Sequence, residues 1–278
     1  MKNIFISSEF RPLLNPFIWH DINSLGDYRG VNDIKRDTPV VVSLTCEREY
    51  FDELPLTIYS VLTQSMTPDR VILWLDEENE SLSKLPYEIA QFIKNGLEIR
   101  FVKYMKSYTK TVYPLKEIPN SLVVTASEHI FYKKDWLQKL YTSYIVNPKD
   151  INVHSAKLVK LKDGIILSPK KWAKSAEEKA SFNYCINGAG GVLYPPNCFR
   201  ADALRADIFL KYIPECDDIW FWVMAVASNR RIRLVKNHHA RLILNNYLTN
   251  ILNIRNCSNV QIKKLIDLYR FNLYSKLI

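Results

Sequence analysis

The sequence predicts an α/β protein with a doubly wound, mostly parallel central sheet flanked by helices and a smaller, mixed second half. Three observations predict it. Apolar, β-branched runs begin at Pro39, Arg70, Leu97 and Ser121. Stretches with helical spacing lie between them, and three of the runs end in polar residues. Strand and helix alternating in this way mark βαβ units with right-handed crossovers.

The elements follow in order. Pro39-Val40-Val41-Val42-Ser43-Leu44-Thr45 is apolar without alternation, as a central strand covered on both faces must be. Leu54, Ile58, Val61 and Leu62 then recur at helical spacing. A second strand runs from Arg70 to Leu75 and ends at Asp76. A helix spans Tyr87 to Lys94 and stops at Gly96, a residue that tolerates the left-handed helix end. The third strand is Leu97 to Val102, a short helix covers Thr109 to Glu117, and the fourth strand is Ser121 to Thr125.

The second half is less regular. Ile151 to Leu167 reads as short strands around the turn Lys162-Asp163-Gly164. Gly188-Ala189-Gly190-Gly191 leads into Val192-Leu193-Tyr194-Pro195-Pro196. A helix begins at Asp217-Asp218 and passes through Trp222, Val223 and Val226. Ile232 to Val235 is a late strand, and Gln261 to Tyr274 an amphipathic closing helix. Residues 1–36, with Pro12, Pro16, Gly26 and Gly30, read as an irregular arm. No internal repeat or low-complexity segment interrupts 37–278, which is taken as one domain.

Composition narrows the class. The 278 residues suit one large domain, and 47% hydrophobic with 24% charged residues is the balance of a globular chain. Five cysteines, odd in number and without CxxC spacing, predict neither a disulfide framework nor a zinc site and fit a reducing compartment. The opening Met1 to Ser7 soon meets Glu9, Arg11 and Pro12, so no signal peptide is expected, nor any membrane span. The expected location is cytoplasmic. The net charge of +9 fits nucleic acid, an anionic lipid surface, a phosphorylated small molecule or a plain solvated surface. The lysines are dispersed rather than striped with aromatics, and no nucleic-acid module is present, so nucleic acid is not the expected partner. A P-loop enzyme lacks its G-x-x-x-x-G-K-[ST] and an α/β-hydrolase its G-x-S-x-G.

In doubly wound sheets a ligand sits beyond the carboxyl ends of the strands. Here those ends are Thr45-Cys46-Glu47-Arg48, Asp76-Glu77-Glu78 and Ala126-Ser127-Glu128-His129. All are polar, so a polar ligand is expected.

Four segments, in order, resemble one family. They are Val42 to Thr45 with Ser60 to Ser65 and Pro68 to Leu75; Val123 to Ala126 with Ile130, Tyr132 and Asp135-Trp136-Leu137; Gly190 to Pro196; and Asp217-Asp218-Ile219-Trp220. Together they resemble the inverting glycosyltransferase family 2, in particular its bacterial cell-surface polysaccharide branch. The resemblance covers residues 39 to about 270. It implies a GT-A (Rossmann-like) fold, a nucleotide-sugar donor, UDP-linked by expectation, and a glycan or lipid-linked acceptor in polysaccharide or lipopolysaccharide synthesis.

The resemblance breaks at one place. The family carries an acidic cluster after the fourth strand, whose last carboxylate binds a divalent cation. Here Ser127-Glu128-His129 stands there. His129 could ligate Mn²⁺ through imidazole but suits Mg²⁺ poorly. His238 or His239 downstream could complete such a site, though adjacent residues on an extended segment point opposite ways, and His239 is the expected ligand. Alternatively Lys106 and Lys110, in a segment resembling the family's donor site, could pair with the diphosphate in place of a metal.

The resemblance further implies Thr45, Glu47, Asp76, Ser127 and Glu128 at the nucleotide, and Asp218, with Asp217 beside it, as the base that takes the acceptor's proton. Gly190 and Gly191 could let backbone approach the sugar, and Trp220 could stack on it. Each has a plainer reading: loop polarity, helix capping or core packing. Lys263, Lys264, Arg270 and Lys276 could face an anionic leaflet or belong to a solvated helix. The altered motif also leaves open a weakened or non-catalytic relative that binds nucleotide, glycan or a partner enzyme.

Overall fold

The computed structural model describes residues 18–34, 36–174, 177–235, 242–243 and 259–277. A short helix α1 (18–23) precedes β1 (Val40–Thr45). Then come α2 (Leu54–Leu62), β2 (Arg70–Asp76), α3 (Tyr87–Ala90), β3 (Leu97–Val102), α4 (Thr109–Glu117), β4 (Leu122–Thr125), β5 (Ile130–Phe131) and α5 (Trp136–Val146). The second half holds β6 (Ile151–Val153), β7 (Ala156–Leu158), β8 (Leu161–Lys162), β9 (Ile165–Ile166), β10 (Ala173–Lys174), β11 (Ala180–Ser181), β12 (Tyr184–Ile186) and β13 (Val192–Tyr194). It closes with α6 (Ala206–Tyr212), α7 (Asp217–Ala227), β14 (Ile232–Leu234), β15 (Leu242–Ile243), α8 (Asn259–Leu268) and α9 (Arg270–Tyr274).

Eight strands form one sheet in the order β11-β14-β6-β13-β4-β1-β2-β3. β1 pairs in parallel with β2 on one side and β4 on the other, Val42 lying opposite both Val71 and Val124. β3 continues in parallel beyond β2. β13 runs antiparallel between β4 and β6, β14 is parallel to β6, and β11 closes the far edge antiparallel. The chain leaves β1 in one direction and returns on its other side at β4. The crevice beyond the carboxyl ends of those two strands is therefore a topological switch point. Because Val192 is registered opposite Thr125, the glycine loop before β13 opens at that same crevice.

Every residue of β1 is buried. Val40, Val42 and Leu44 face the cluster formed with Leu54, Ile58 and Trp136, while Val41 faces Ile72 and Trp74. This is the period-two division of a strand covered on both sides. α7 is buried from Ile219 to Val226, so it is a core helix rather than an amphipathic one.

Three expectations are corrected. The segment from Tyr87 is α-helical only to Ala90 and continues as a 3₁₀ turn over Gln91–Ile93, although Gly96 ends it at φ 105°. The closing helix is two, α8 and α9. Cys46, Cys185 and Cys198 are free and buried, but Cys216 is disulfide-bonded. Among the described residues no helix is long and apolar enough to cross a membrane.

Candidate functional site

A cleft of about 420 Å³ lies at the switch point. Thr45 and Glu47 reach it from the end of β1, Ser127 and Glu128 from the end of β4, Lys106 from the loop before α4 and Lys110 from its first turn. Gly188 and Ala189 come from the glycine loop, and Asp217 and Asp218 from the first turn of α7.

α4 is anchored from below and beside. The Ser43 hydroxyl donates to the Lys110 carbonyl at 2.6 Å and accepts the Trp74 indole N–H at 2.9 Å. The first turn of α4 is thus tied to β1 and β2. The Tyr108 hydroxyl donates to the Ile213 carbonyl at 2.6 Å, and its ring stacks on Phe209 at 4.1 Å. This holds α4 to the segment leading into α7, so the lysine side and the aspartate side of the cleft share a frame. Lys106 has a left-handed backbone, φ 55°, and forms an ion pair with Glu215 across the cleft. The Thr45 hydroxyl is committed to the Trp74 carbonyl at 2.8 Å.

The loop after β4 is fixed through its backbone. The Ser127 N–H donates to the Tyr132 hydroxyl at 2.8 Å, and that hydroxyl donates to the Ala189 carbonyl at 3.4 Å. The Thr57 hydroxyl donates to the Glu128 carbonyl at 2.6 Å. The Glu128 carboxylate stands 4.0 Å from Lys110 Nζ and 3.8 Å from His129 Nε2. His129 itself is fully buried. Its Nδ1 lies 3.3 Å from Glu53 Oε2, and its ring meets Tyr50 edge-on at 4.4 Å. It lies behind Glu128 and does not line the cleft.

The glycine loop meets Asp218. The Gly188 N–H donates to Asp218 Oδ1 at 2.9 Å, and a Cβ at position 188 would lie 2.9 Å from that oxygen. Burial first, and the neighbouring Asp217 second, push the Asp218 carboxyl up to about 8, against the Gly188 bond and the Lys110 and Lys157 charges. Gly190 and Gly191 do not reach the cleft. A Cβ on Gly190 would meet Ser155 at 2.8 Å, and one on Gly191, φ 98°, would meet the Trp136 indole at 2.5 Å. The Trp136 N–H donates to the Gly190 carbonyl at 2.8 Å. Both glycines make room for packing, as does Gly188 for its carboxylate.

Tyr104 donates to Glu47 Oε1 at 3.0 Å, and burial together with Glu47 raises its phenol well above the usual range. This pair divides the cleft from a second cavity of about 710 Å³ that holds Asp76, with Asn79 and the Arg48–Glu80 ion pair. The two spaces share Glu47, Tyr104 and Lys106. Trp220 is fully buried and donates its N–H to the Ala203 carbonyl at 2.9 Å, away from the cleft. His238 and His239 lie outside the described residues.

Among the described residues the donor set does not fit a divalent cation. Of the three positions after β4, Ser127 brings no charge, His129 is turned into the core, and Glu128 already has the Lys110 ammonium beside it. Among the described residues no group of three His, Cys, Asp or Glu side chains is arranged to hold a metal.

Asn187, Gly188, Tyr104 and Glu215 line the cleft without having been singled out from sequence. Glu215 was signalled by its place in the polar string Glu215-Cys216-Asp217-Asp218, and Gly188 by opening the glycine loop; Tyr104 carried no signal.

No protein-family profile matches the chain, and no curated protein sequence does. Solved structures do. Staphylococcus aureus TarS, residues 1–349, aligns over 87% of this chain and 67% of its own at 11% identity, with a TM-score of 0.51. GalNAc-T7 with UDP, GalNAc and Mn²⁺ aligns over 84% and 52% at 12% identity, TM-score 0.47. A CMP:2-keto-3-deoxy-manno-octonic acid synthetase with CTP aligns over 79% and 99% at 8% identity, TM-score 0.48. The likeness to TarS, with the sheet order described above, establishes a GT-A-like α/β fold.

Proposed function

We propose that the protein is a glycosyltransferase that moves a sugar from a nucleotide-sugar, UDP-linked by preference, to a hydroxyl of a glycan or lipid-linked acceptor. The observation that carries this reading is the placement of Asp217 and Asp218 across one cleft from Ser127, Glu128 and Lys110, at the switch point of the sheet. Nucleophile activation needs a carboxylate within reach of the acceptor, and departure of a diphosphate needs a positive group beside it.

In this reading the nucleoside occupies the cavity around Asp76, Arg48 and Glu47, and the diphosphate passes Tyr104 toward Lys110. The acceptor hydroxyl gives its proton to Asp218. Its oxygen forms the new bond to the anomeric carbon. The bond from that carbon to the phosphate oxygen breaks, and its electron pair leaves with the nucleoside diphosphate. Attack from the face opposite the leaving group inverts the anomeric centre. Gly188 holds one Asp218 oxygen at 2.9 Å, leaving the other for the acceptor.

A second reading has a specific motive: with His129 in the core, the same cleft would bind nucleotide without turning it over. Saturation-transfer NMR on a panel of nucleotide-sugars tests the binding that both readings share. Transfer to nucleoside and sugar protons of at least one donor is expected; none from any donor would contradict both. Turnover then separates them.

A further inference from the structure

Lys110 stands where its own helix disfavours it. It is the second residue of α4, and the amino end of a helix carries partial positive charge that repels cations. It is also only 9% exposed, and burying an ammonium is costly unless the charge is paired and hydrogen-bonded. Its ion-pair partner, Glu128, lies 4.0 Å away, beyond hydrogen-bond distance. Among the described residues its Nζ makes no hydrogen bond, whereas the other cleft lysine, Lys106, is held by Glu215. The backbone beneath it is fixed by the Ser43 bond, so its position follows from the fold rather than from a loose surface chain. A buried, anchored ammonium that opens into a cleft and lacks hydrogen-bond acceptors is a site prepared for an anion.

Resting on the glycosyl-transfer reading, we propose that this cleft takes its nucleoside diphosphate without a divalent cation, the Lys110 ammonium standing at the diphosphate in the cation's place. Lys110 acts here by its charge alone. It offsets the negative charge that gathers on the phosphate oxygens as the anomeric bond breaks, and it changes no covalent partner. Three donor N–H groups on one ammonium can serve oxygens of both phosphates. Glu128 then balances the Lys110 charge across 4.0 Å rather than binding a metal.

The experiment is calorimetric titration of UDP, CDP, GDP and ADP into the full chain, in EDTA and again in Mn²⁺, for the wild type, Lys110→Met and Lys110→Arg. Expected is one nucleotide whose Kd agrees within about twofold in the two conditions, about tenfold weaker binding in Lys110→Met, and substantial recovery in Lys110→Arg. Binding that needs Mn²⁺ would overturn the metal-free site while leaving a nucleotide site standing. Unchanged affinity in Lys110→Met would remove Lys110 from it. Absence of binding by every nucleotide in both conditions would overturn this proposal and the glycosyl-transfer reading together. Should Lys110→Met not fold, the EDTA and Mn²⁺ comparison on the wild type decides.

Discussion

Asp218 Oδ1 accepts the backbone N–H of Gly188 at 2.9 Å, and a Cβ on that glycine would occupy the same distance from the same oxygen. The approach is open only to a residue without a side chain. Gly188→Ala is therefore predicted to move the carboxylate and not the fold. The atom it strikes is the tip of a side chain, so the melting temperature should change little. Displacement of a reacting group by about 1 Å can cost about 10²-fold in rate. Steady-state kinetics beside a thermal melt checks this; a large melting shift with retained turnover would contradict it.

Asp218 should govern the pH profile. Its carboxyl is raised from the ordinary 3.8 to about 8, so at neutral pH most of it is protonated and cannot act as a base. Turnover is predicted to rise with pH and level off above about 8. Asp217→Asn removes a like charge, lowers the Asp218 pKa and should move the rising limb to lower pH. A limb that does not move in Asp217→Asn would contradict the assignment.

The same shift has a consequence for stability. A folded-state pKa raised above the unfolded value means that the folded form binds the extra proton between about 4 and about 8. The contribution is fully present below 3.8 and is lost as pH rises through about 8. Urea midpoints measured across that window should fall with pH by more in the wild type than in Asp218→Asn. Parallel curves for the two proteins would contradict the raised Asp218 carboxyl.

Gly191 makes a different prediction. Its φ of 98° strains any L side chain, and a Cβ there would lie 2.5 Å from the Trp136 indole. Gly191→Ala should destabilise the fold by about 3 kcal/mol, from overpacking and the left-handed backbone together. Urea denaturation measures it, and a loss well under 1 kcal/mol would contradict the packing role.

How much of this was legible follows from segment length and from burial. The strands from Val40 to Thr125 are four to seven residues long and carry their own apolar signature, so the parallel half of the sheet could be read directly. β6, β13 and β14 have three residues each and β11 two, too few to show a period. Their places come from tertiary pairing. In the site, polar residues at strand ends and at the start of α7 converge on the cleft because topology puts strand ends there. Trp220 could not be placed from sequence, since α7 is apolar on every side and no face is marked as pocket or core. His129 was misleading for a related reason: its residue type suggests a ligand, and only the position of Glu53 and Tyr50 shows that its ring is turned inward.

In the proposed reaction Asp218 deprotonates an acceptor hydroxyl during sugar transfer from a nucleotide donor. The most direct measurement is release of nucleoside diphosphate from a panel of nucleotide-sugars with glycan and lipid-linked acceptors, wild type against Asp218→Asn. Release is expected with at least one donor, rising through pH 8, with a fall of roughly 10²–10⁴-fold in the variant at unchanged donor affinity. Equal release by both proteins, or donor binding with no release by the wild type, would contradict it.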